Sequence, residues 1–436
     1  MQRFLVRSFF QATCLSSALL LAACGGGGGA GSNSAEGSTP GAVGAGKTGP
    51  SGGTTGVMDS AAALAAALPA TPGLSPVDVG SLLFKDKNLS ASRQMACASC
   101  HAETFGHADA PGTLLPLGGA ALNLAGMRSS PTVRYQNEGH AFRLDAKGEA
   151  SGGFTWDGRA DSRKEQARDP FFVAEEMGLP GSPHEPSAVT QLVRQASYFP
   201  DLQALYAPGE IDSDLKLFEK IAELLEIYQR DDADYNLFDS KYDQSLAGLA
   251  TLTAPESRGL AIMADPKRGN CMSCHTATGS KPLFTNFGYA ALGVPRNHAA
   301  PKNVDANFYD LGLCSRAKSG PDPVRDAHKY CGQFKTPTLR NVERTAPYFH
   351  NASVASLEDA VRFHFERDAA PAKWFKTRTG AADQSYNDLP VRYRGNLARQ
   401  RPFSGDYQPS DGDIADILAF LKTLNDADQT TPLPPR

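Results

Sequence analysis

The sequence predicts a mainly α-helical protein of two domains, with long irregular loops and little sheet. A Cys-X-X-Cys-His motif occurs twice, at 97–101 and 271–275, each time early in its own segment. Alternating apolar and polar runs, which are typical of strands, are few, and the 436 residues include 42 glycines and 30 prolines. Three segments carry apolar residues at helical spacing, at 215–229, 256–264 and 411–424. The repeated motif therefore predicts the number of domains, and the helices predict the class.

The chain begins with a segment typical of export. Arg3 and Arg7 precede an apolar stretch that is short for a membrane-spanning helix, which needs about 20 apolar residues. Its last residues, Leu-Ala-Ala-Cys, resemble the bacterial lipobox. We therefore expect 1–24 to be a lipoprotein signal peptide and Cys24 to be lipidated. The alternative is an ordinary signal peptide in which Cys24 has no role.

Residues 25–57 are mostly Gly, Ser, Ala and Thr and predict a flexible linker, because they cannot bury a core. No further long apolar run follows, so we expect a globular body that is held by lipid alone on the periplasmic side of a bacterial membrane. Gly25 after the cysteine favours the outer membrane. The formal net charge of −4 gives no indication of nucleic-acid binding, and it either suits a basic redox partner or reflects only solubility.

Two cysteines at the Cys-X-X-Cys spacing can form thioethers with both vinyl groups of one haem, and the next histidine can bind the iron. Zinc knuckles and redox dithiols share the cysteine spacing, but two copies completed by His in an exported chain favour haem. We therefore expect two covalently bound haem c groups. Their attachment residues are Cys97, Cys100 and His101 for the first haem, and Cys271, Cys274 and His275 for the second.

Each motif indicates one cytochrome c-like domain, which we place at 75–248 and 249–428. In the second domain, a helix at 256–264 leads into the haem motif, and Ser410 can cap a closing helix at 411–424. The long irregular stretch 277–332 would be unusual in a domain without a cofactor. Covalent haem supplies the apolar core around which such loops can fold.

Cys314 and Cys331 remain after the haem motifs, the lipidation site and the signal peptide have taken the other cysteines. They flank a polar loop rich in Pro, Asp and Lys. In an oxidising compartment the pair predicts a disulfide that closes this loop. Two buried free thiols are the alternative.

Further motifs lie between and after the haem sites. They are Phe-Thr-Trp-Asp-Gly-Arg-Ala at 154–160, Lys-Glu-Gln-Ala at 164–167, Ala-Glu-Glu-Met-Gly at 174–178, and the stretches 334–342 and 345–350. In this order they resemble the motifs of the bacterial dihaem cytochrome c peroxidase and MauG-like family. The likeness covers about residues 75–425, which is nearly the whole body of the protein.

The resemblance implies a hydrogen-peroxide-dependent oxidoreductase whose N-terminal haem reacts with peroxide while the C-terminal haem relays electrons. The family's tryptophan matching Trp156 lies between the haems, and the residues matching Gln166 and Glu176 line the peroxide pocket. Peroxide cleavage needs a base and then an acid, and one carboxylate can serve as both. Glu176 is that candidate, with Gln166 orienting peroxide or water. Taken alone, Glu176 would be a solvated carboxylate and Trp156 a core residue.

The first haem site departs from the family pattern. Peroxidases close this haem at rest with a distal histidine in a glycine-rich loop, before a motif matched here by Ser-Pro-Thr at 130–132. This chain has Gly-Ala-Ala-Leu at 119–122 instead. His107 and His140 are near in sequence but match no ligand position. We therefore expect an open or water-bound sixth site that reacts with peroxide without prior reduction.

The second haem site departs as well. Counted from Thr345, the position of the axial methionine in peroxidases, or tyrosine in MauG-like members, is His364. His275 and His364 would form a bis-histidine haem, whose reduction potential is lower than that of a methionine-ligated haem. The alternative is that His364 only donates hydrogen bonds in the pocket.

The family also holds a calcium ion between its domains, bound partly by carbonyls that match Thr345 and Pro347. Calcium prefers such hard oxygen ligands. The family's asparagine ligand falls at Tyr135, with Asn137 two residues on. We therefore expect Ca²⁺ here, and the dimers that many relatives form leave a homodimer open.

Two variants of a periplasmic, peroxide-activating enzyme follow. A peroxidase would take electrons from a small cytochrome or copper protein, whereas a MauG-like oxidase would direct oxidising equivalents, shared through Trp156, to a partner protein. The missing distal histidine and the non-methionine ligand favour MauG-like chemistry. A non-catalytic dihaem electron carrier or redox sensor is the alternative from another class, and Glu176 and Gln166 beside an open haem argue against it.

Overall fold

The computed structural model describes residues 73–109, 115–318 and 321–429, which fall in one compact unit. The predicted signal peptide, the linker at 25–57 and the lipidation site Cys24 lie outside the described residues. The boundaries of the two haem domains stay a prediction.

The described part of the chain is mainly helical, as predicted. Its α-helices are α1 (Pro76–Lys85), α2 (Cys97–Cys100), α3 (Arg163–Gln166), α4 (Ser187–Arg194), α5 (Phe199–Ala204), α6 (Asp214–Asp231), α7 (Lys241–Leu246), α8 (Ala254–Ala264), α9 (Leu357–Glu366), α10 (Pro371–Trp374) and α11 (Asp411–Lys422). Its sheet consists of three antiparallel pairs of two-residue strands. They are β1 (Leu117–Gly118) with β2 (Leu124–Ala125), β3 (Arg143–Leu144) with β4 (Ala150–Ser151), and β5 (Tyr289–Ala290) with β6 (Phe334–Lys335). The rest is loop and short 3₁₀ turns.

The three helices expected from apolar spacing are present as α6, α8 and α11, with small differences at their ends. Ser410 caps α11 as predicted, because its hydroxyl accepts from the Asp413 N–H and the Asp413 carboxylate bonds back. Helices α1 and α9 were not predicted. Their starts carry the same signal, with Ser75 and Asp78 forming a capping box and Ser356 capping α9.

A pair of crossing helices closes each half of the fold. Helix α1 packs against α6, and α8 packs against α11. Gly80 lies at the first crossing, where an added Cβ would lie 2.3 Å from the carbonyl oxygen of Leu224. Gly259 lies at the second, where a Cβ would lie 2.0 Å from the carbonyl oxygen of Asp416. At both crossings the absence of a side chain lets the two backbones approach closely.

Two large apolar clusters form the core, one drawn from 79–235 and the other from 242–424. Cys97 packs against the first cluster, and Cys271 packs against the second. Each haem motif therefore lies at the edge of its own core, where a covalently attached apolar group would extend that core.

The segment that follows α11 returns to the first half. The buried carboxylate of Asp426 accepts from Arg134 Nη1 at 2.9 Å, from Asn341 Nδ2 at 2.6 Å and from the Tyr135 hydroxyl. The side-chain oxygen of Gln429 accepts from the Gly106 N–H at 2.9 Å, in the loop after the first haem motif. These bonds tie the segment that follows α11 to the first haem loop.

The stretch 277–332 is irregular, as expected, and its described residues, 277–318 and 321–332, form only β5 and short 3₁₀ turns. A disulfide joins Cys314 to Cys331 within it. Leu313, Val324 and Tyr330 pack around this disulfide in a small apolar cluster of their own.

We expect Gly259→Ala to destabilise the fold. A methyl group at this position would overlap the backbone of α11, and overpacking of this kind typically costs about 1–3 kcal/mol. Thermal unfolding should show a midpoint lowered by at least a few degrees, on the order expected for that loss. Gly395→Ala is the matched control, because nothing lies within 4 Å of a Cβ at Gly395. Equal midpoints for the two variants would contradict the close crossing of α8 and α11.

Candidate active site

The first haem motif forms α2 and the residue that caps it. Cys97 and Cys100 are half-buried free thiols, and burial, the largest cause, raises the pKa of each to about 12. His101 Nδ1 lies 3.3 Å from the carbonyl oxygen of His107, and the Pro131 carbonyl also accepts from this ring. Burial lowers the pKa of His101. The ring is therefore neutral with Nδ1 protonated, which leaves Nε2 for an iron.

The second motif repeats this arrangement. His275 Nδ1 donates to the carbonyl oxygen of Phe284 at 3.0 Å, and the Pro337 carbonyl lies close as well. Burial, followed by the nearby charge of His364, lowers the pKa of His275 to about 4. His275 is therefore also neutral and keeps Nε2 free.

The loops that orient the two histidines are held in the same way. The Thr132 hydroxyl donates to the carbonyl oxygen of Gly106 at 2.5 Å, and the Thr338 hydroxyl donates to that of Leu283 at 2.6 Å. Each bond fixes the turn that presents a carbonyl to its histidine. The Pro-Thr sequences after both haem motifs therefore have a common role, which fixes ring orientation at each site.

A cavity of about 200 Å³ lies at the second motif. Cys271, Cys274, His275 and His364 line it. His364 is carried by α9, where its Nδ1 donates to the Ala360 carbonyl oxygen at 2.7 Å and its ring stacks on Phe403 with centroids 5.4 Å apart. The structure thus brings His275 and His364 together on one cavity, each with Nδ1 bound to a backbone carbonyl.

His350 also lines this cavity, although no sequence signal singles it out. Its ring stacks on Phe334 with centroids 3.4 Å apart, and no described residue accepts from or donates to its Nε2. Burial lowers the pKa of His350 to about 3, although the Asp310 carboxylate opposes this shift. His350 is the last residue of the motif at 345–350, but a motif does not show which of its side chains face a cavity.

Trp156 links the two halves of the fold at this cavity. Its side chain belongs to the first half, yet it contributes to the cavity wall of the second. The indole Nε1 donates to the Ser129 carbonyl oxygen at 2.9 Å, and the Lys335 N–H donates to the Trp156 carbonyl oxygen at 2.9 Å. Ser129 in turn donates from its N–H to the His350 carbonyl oxygen at 2.9 Å.

An ion-pair cluster fixes the same region. The Arg128 guanidinium donates to Asp310 at 2.7 and 2.8 Å and to Asp157 at 2.7 Å. Burial opposes ionisation of both carboxyls, but Arg128 holds the pKa of each below its usual range. Arg128 therefore joins the residue after Trp156 to the wall of the second cavity.

Glu176 lies near the first haem motif. Its charge contributes to the raised pKa of both Cys97 and Cys100. Burial raises the pKa of Glu176 to about 7, with Arg159 opposing the shift. Gln166 ends α3 and is half-buried, and the residue after it packs in the same apolar cluster that Cys97 contacts.

The hairpin β1–β2 packs directly on the backbone of Glu176. The Gly119 N–H donates to the Glu176 carbonyl oxygen at 2.8 Å, and a Cβ at Gly118 would lie 2.2 Å from the Glu175 carbonyl oxygen. This hairpin contains 119–122, where the family resemblance places a distal histidine in peroxidases. Here the loop holds the segment of Glu176 and carries no imidazole of its own.

The other two histidines near the first motif lie elsewhere. His107 supplies the carbonyl that orients His101, and its buried ring stacks on Tyr235 with centroids 4.4 Å apart. His140 Nε2 bonds to the Ser151 hydroxyl at 3.2 Å, and its ring packs against Phe287.

Comparison with known proteins gives a consistent result. Residues 75–251 match the family model described as di-haem cytochrome c peroxidase. The chain is 31% identical over 360 residues to the methylamine utilization protein MauG of Paracoccus denitrificans, which covers 80% of this chain and 88% of that protein. This chain belongs to the dihaem cytochrome c peroxidase and MauG family.

Two further relatives agree. The cytochrome c551 peroxidase of Nitrosomonas europaea is 28% identical over 339 residues, 75% of this chain and 86% of that protein. The crystal structure of the diheme peroxidase BthA from Burkholderia thailandensis aligns with a TM-score of 0.74 at 32% identity, and covers 82% of this chain and 88% of that one.

Membership of the family confirms the oxidoreductase class and the mainly helical dihaem peroxidase fold. With the two motifs it also implies two haem c groups, and it implies hydrogen peroxide as the substrate. Members of the family are periplasmic. Within residues 73–109, 115–318 and 321–429, no helix has the length and apolar character needed to cross a membrane.

Both sites suit haem c. Each offers two free thiols at the thioether spacing and a neutral histidine with Nε2 available, and the second adds a cavity with largely apolar walls. When bound, each haem would supply an iron that exchanges electrons with peroxide or with its neighbour.

The side chains at the predicted calcium site do not suit that ion. The Tyr135 hydroxyl donates to Asp426, and the Asn137 side-chain oxygen accepts from Arg163. No group of three or more His, Cys, Asp or Glu in the described part of the chain could hold a metal ion. The calcium prediction therefore rests on the carbonyls of Thr345 and Pro347 alone.

Proposed function

We propose that hydrogen peroxide is activated at the first haem site and that the oxidising equivalents are shared with the second site through Trp156. The position of Trp156 carries this proposal, because one side chain from the first half forms part of the second cavity wall. The bond to the Ser129 carbonyl holds the indole, and the bond from the Lys335 N–H holds the Trp156 backbone.

Glu176 is the proton carrier in this proposal. A carboxylate can take the first proton of peroxide and return it to the departing oxygen, and such catalysis is most efficient when the pKa lies near the working pH. Burial raises the pKa of Glu176 to about 7, so both of its forms are populated near neutrality. Gln166 orients peroxide or water beside it.

His275 and His364 are the two residues that we propose would hold the iron of a haem at the second site. The cavity supports this assignment, because His275 and His364 both line it. His350 lines the same cavity, but the charges that shift the pKa of His350 are those of Asp310 and Arg128, not that of His275.

Several features favour MauG-like oxidation of a partner over plain peroxide reduction. The hairpin at 117–125 brings no histidine to the first site, and the second site has His364 where peroxidases have methionine. We place the enzyme in the periplasm, tethered to the outer membrane through a lipid on Cys24, with a small redox protein or a protein substrate as its partner. A non-catalytic dihaem carrier or redox sensor is the alternative.

The deciding experiment is addition of stoichiometric hydrogen peroxide to the purified diferric protein, followed by EPR and near-infrared absorption. We expect the ferric signals to fall and a near-infrared band shared by the two haems to appear without reductant. Reaction only after one haem is reduced would mean that the first site is gated as in peroxidases. Two low-spin haems and no reaction in either state would support a carrier.

A further inference from the structure

Tyr386 lies behind the wall of the second cavity and has no part in the function proposed above. We infer that Tyr386 is a redox-active tyrosine that passes electrons from a donor at the protein surface to the second haem site, with Asp368 as its proton acceptor. The inference rests on the proposed function, because it needs oxidising equivalents at the second site. It adds the residue at which these oxidising equivalents are consumed.

The backbone of Gly293 lies between Tyr386 and the cavity. Leu292, Gly293 and Val294 line this part of the wall. A Cβ at Gly293 would lie 2.9 Å from Tyr386 Cδ1, and the φ of +62° suits glycine. The tyrosine ring therefore packs directly behind a wall that has no side chain at this point.

A row of stacked groups also joins Tyr386 to His364. The Arg367 guanidinium lies 5.6 Å from the Tyr386 ring centroid and 4.1 Å from that of Phe403. Phe403 stacks on His364 with centroids 5.4 Å apart. The two routes, through Gly293 and through Arg367, both give the short contacts that electron transfer requires.

The hydrogen bond of Tyr386 suits oxidation. Its hydroxyl donates to Asp368 Oδ1 at 2.8 Å. Burial opposes ionisation of Asp368, but Arg367 and Tyr386 hold its pKa below the usual range, so Asp368 is an unprotonated carboxylate at neutral pH. A phenol that loses an electron becomes a strong acid, and an acceptor already in place lets the proton leave with the electron.

Trp374 is a second oxidisable residue in this region, and its indole lacks such an acceptor. It contacts Phe363, the residue before His364, with ring centroids 5.6 Å apart. Its indole N–H is buried and has no hydrogen-bond partner in the described structure. The hydrogen bonding therefore favours Tyr386 over Trp374.

The surface around Tyr386 is basic. The Arg394 and Arg399 guanidiniums lie 5.9 and 5.7 Å from its ring centroid, and the Arg399 side chain is 58% exposed. Arg392 is exposed nearby in sequence. The chain has a formal net charge of −4, yet these arginines place positive charge beside Tyr386, with Asp368 as the ion-pair partner of Arg399. The electron donor that suits this face is anionic, such as a small redox protein with an acidic docking surface.

The electron and proton balance is complete. Tyr386 gives one electron towards the second haem site and its hydroxyl proton to Asp368. The donor then gives one electron to the tyrosyl radical, and Asp368 returns the proton. Two such transfers, with two protons from solvent, reduce one hydrogen peroxide to two waters and oxidise two donor molecules.

Tyr386→Phe tests the inference, because it removes only the hydroxyl. We would measure steady-state oxidation of ferrocyanide, an anionic one-electron donor, and the radical trapped by freeze-quench EPR after peroxide addition. The expected result is an at least tenfold lower rate of ferrocyanide oxidation, loss of a tyrosyl signal and a longer-lived oxidised state. In D₂O the decay of that state should slow in the wild type and stay unchanged in the variant.

Tyr393→Phe and Trp374→Phe are the controls. Tyr393 lies nearby in sequence but packs against His328, and Trp374 shares the aromatic cluster. Both variants should retain wild-type ferrocyanide oxidation. Wild-type oxidation by Tyr386→Phe, with the tyrosyl signal intact, would overturn the inference alone. A wild-type protein that does not react with peroxide would instead overturn the proposed function.

Discussion

Glu176→Gln is expected to slow the reaction with hydrogen peroxide by about 10²–10⁴-fold, the range that general acid–base catalysis contributes. The amide keeps the size of the side chain but can neither take the first proton of peroxide nor return it. Stopped-flow absorption of the diferric protein after mixing with peroxide measures this rate directly. Haem attachment should be unaffected, since Glu176 bonds to neither thioether cysteine.

The pH dependence gives a second, independent reading of the same residue. Since the pKa of Glu176 is about 7, the carboxylate form that accepts a proton is lost below neutrality. The wild-type rate should therefore rise with pH through about 7 and then level off. The rate of Glu176→Gln should show no such step.

Stability separates this functional effect from a structural one. Folding raises the pKa of Glu176 from 4.5 to about 7, so the folded state favours the protonated form. Its contribution to stability is fully present below pH 4.5 and is lost as pH rises through about 7. At pH 8 the neutral glutamine should therefore be at least as stable as wild type, although the variant is slow.

Glu175→Gln is the matched control, because Glu175 is the neighbouring half-buried carboxylate. It should react at the wild-type rate with an unchanged pH profile. If Glu175→Gln lost the step and Glu176→Gln kept it, the assignment of the proton carrier would be wrong by one residue.

The parts of the fold that the sequence predicted are those governed by local signals. Helices α6 and α11 present long apolar faces at 3.6-residue spacing. The motif at Cys271 predicts haem attachment from its residue types and spacing alone. Helices α1 and α9 are short, so their apolar faces give weak signals, and only the caps at Ser75 and Ser356 mark them. The close helix crossings at Gly80 and Gly259 need knowledge of the partner backbone, which no local pattern contains.

The site residues also divide into those that local signals predict and those that depend on contacts between distant parts of the chain. The cysteines and the histidines next to them follow from the motifs, and the other predicted site residues follow from family resemblance. These are Trp156, Gln166, Glu176 and His364. The cavity that unites Trp156 with His275 and His364 depends on contacts between the two halves. Arg128 and Asp310 pair across 182 positions of sequence, and Asp310 lies in an irregular loop. An ion pair between residues so far apart in the sequence leaves no periodic pattern in it, so neither residue could be identified from the sequence.

His364→Ala is expected to convert the second haem from a low-spin to a high-spin centre, because the iron would lose its sixth ligand. His364→Met should keep the low-spin state and raise the reduction potential by roughly a tenth of a volt or more, within the ~0.8 V range that axial ligands span. EPR and spectroelectrochemistry of each purified variant measure the two effects.

Either His364 or His350 could be the histidine that binds the second iron together with His275, because both line the cavity. His350 lines it with an unbonded Nε2, so a variant of His364 alone could not tell loss of a ligand from loosening of the pocket. His350→Gln should leave the low-spin signal intact if His364 binds the iron. The reverse pattern would make His350 the ligand and leave His364 as a hydrogen-bond donor. Trp156 would then be linked to the iron ligand through Ser129, because Ser129 bonds both the indole and the His350 backbone.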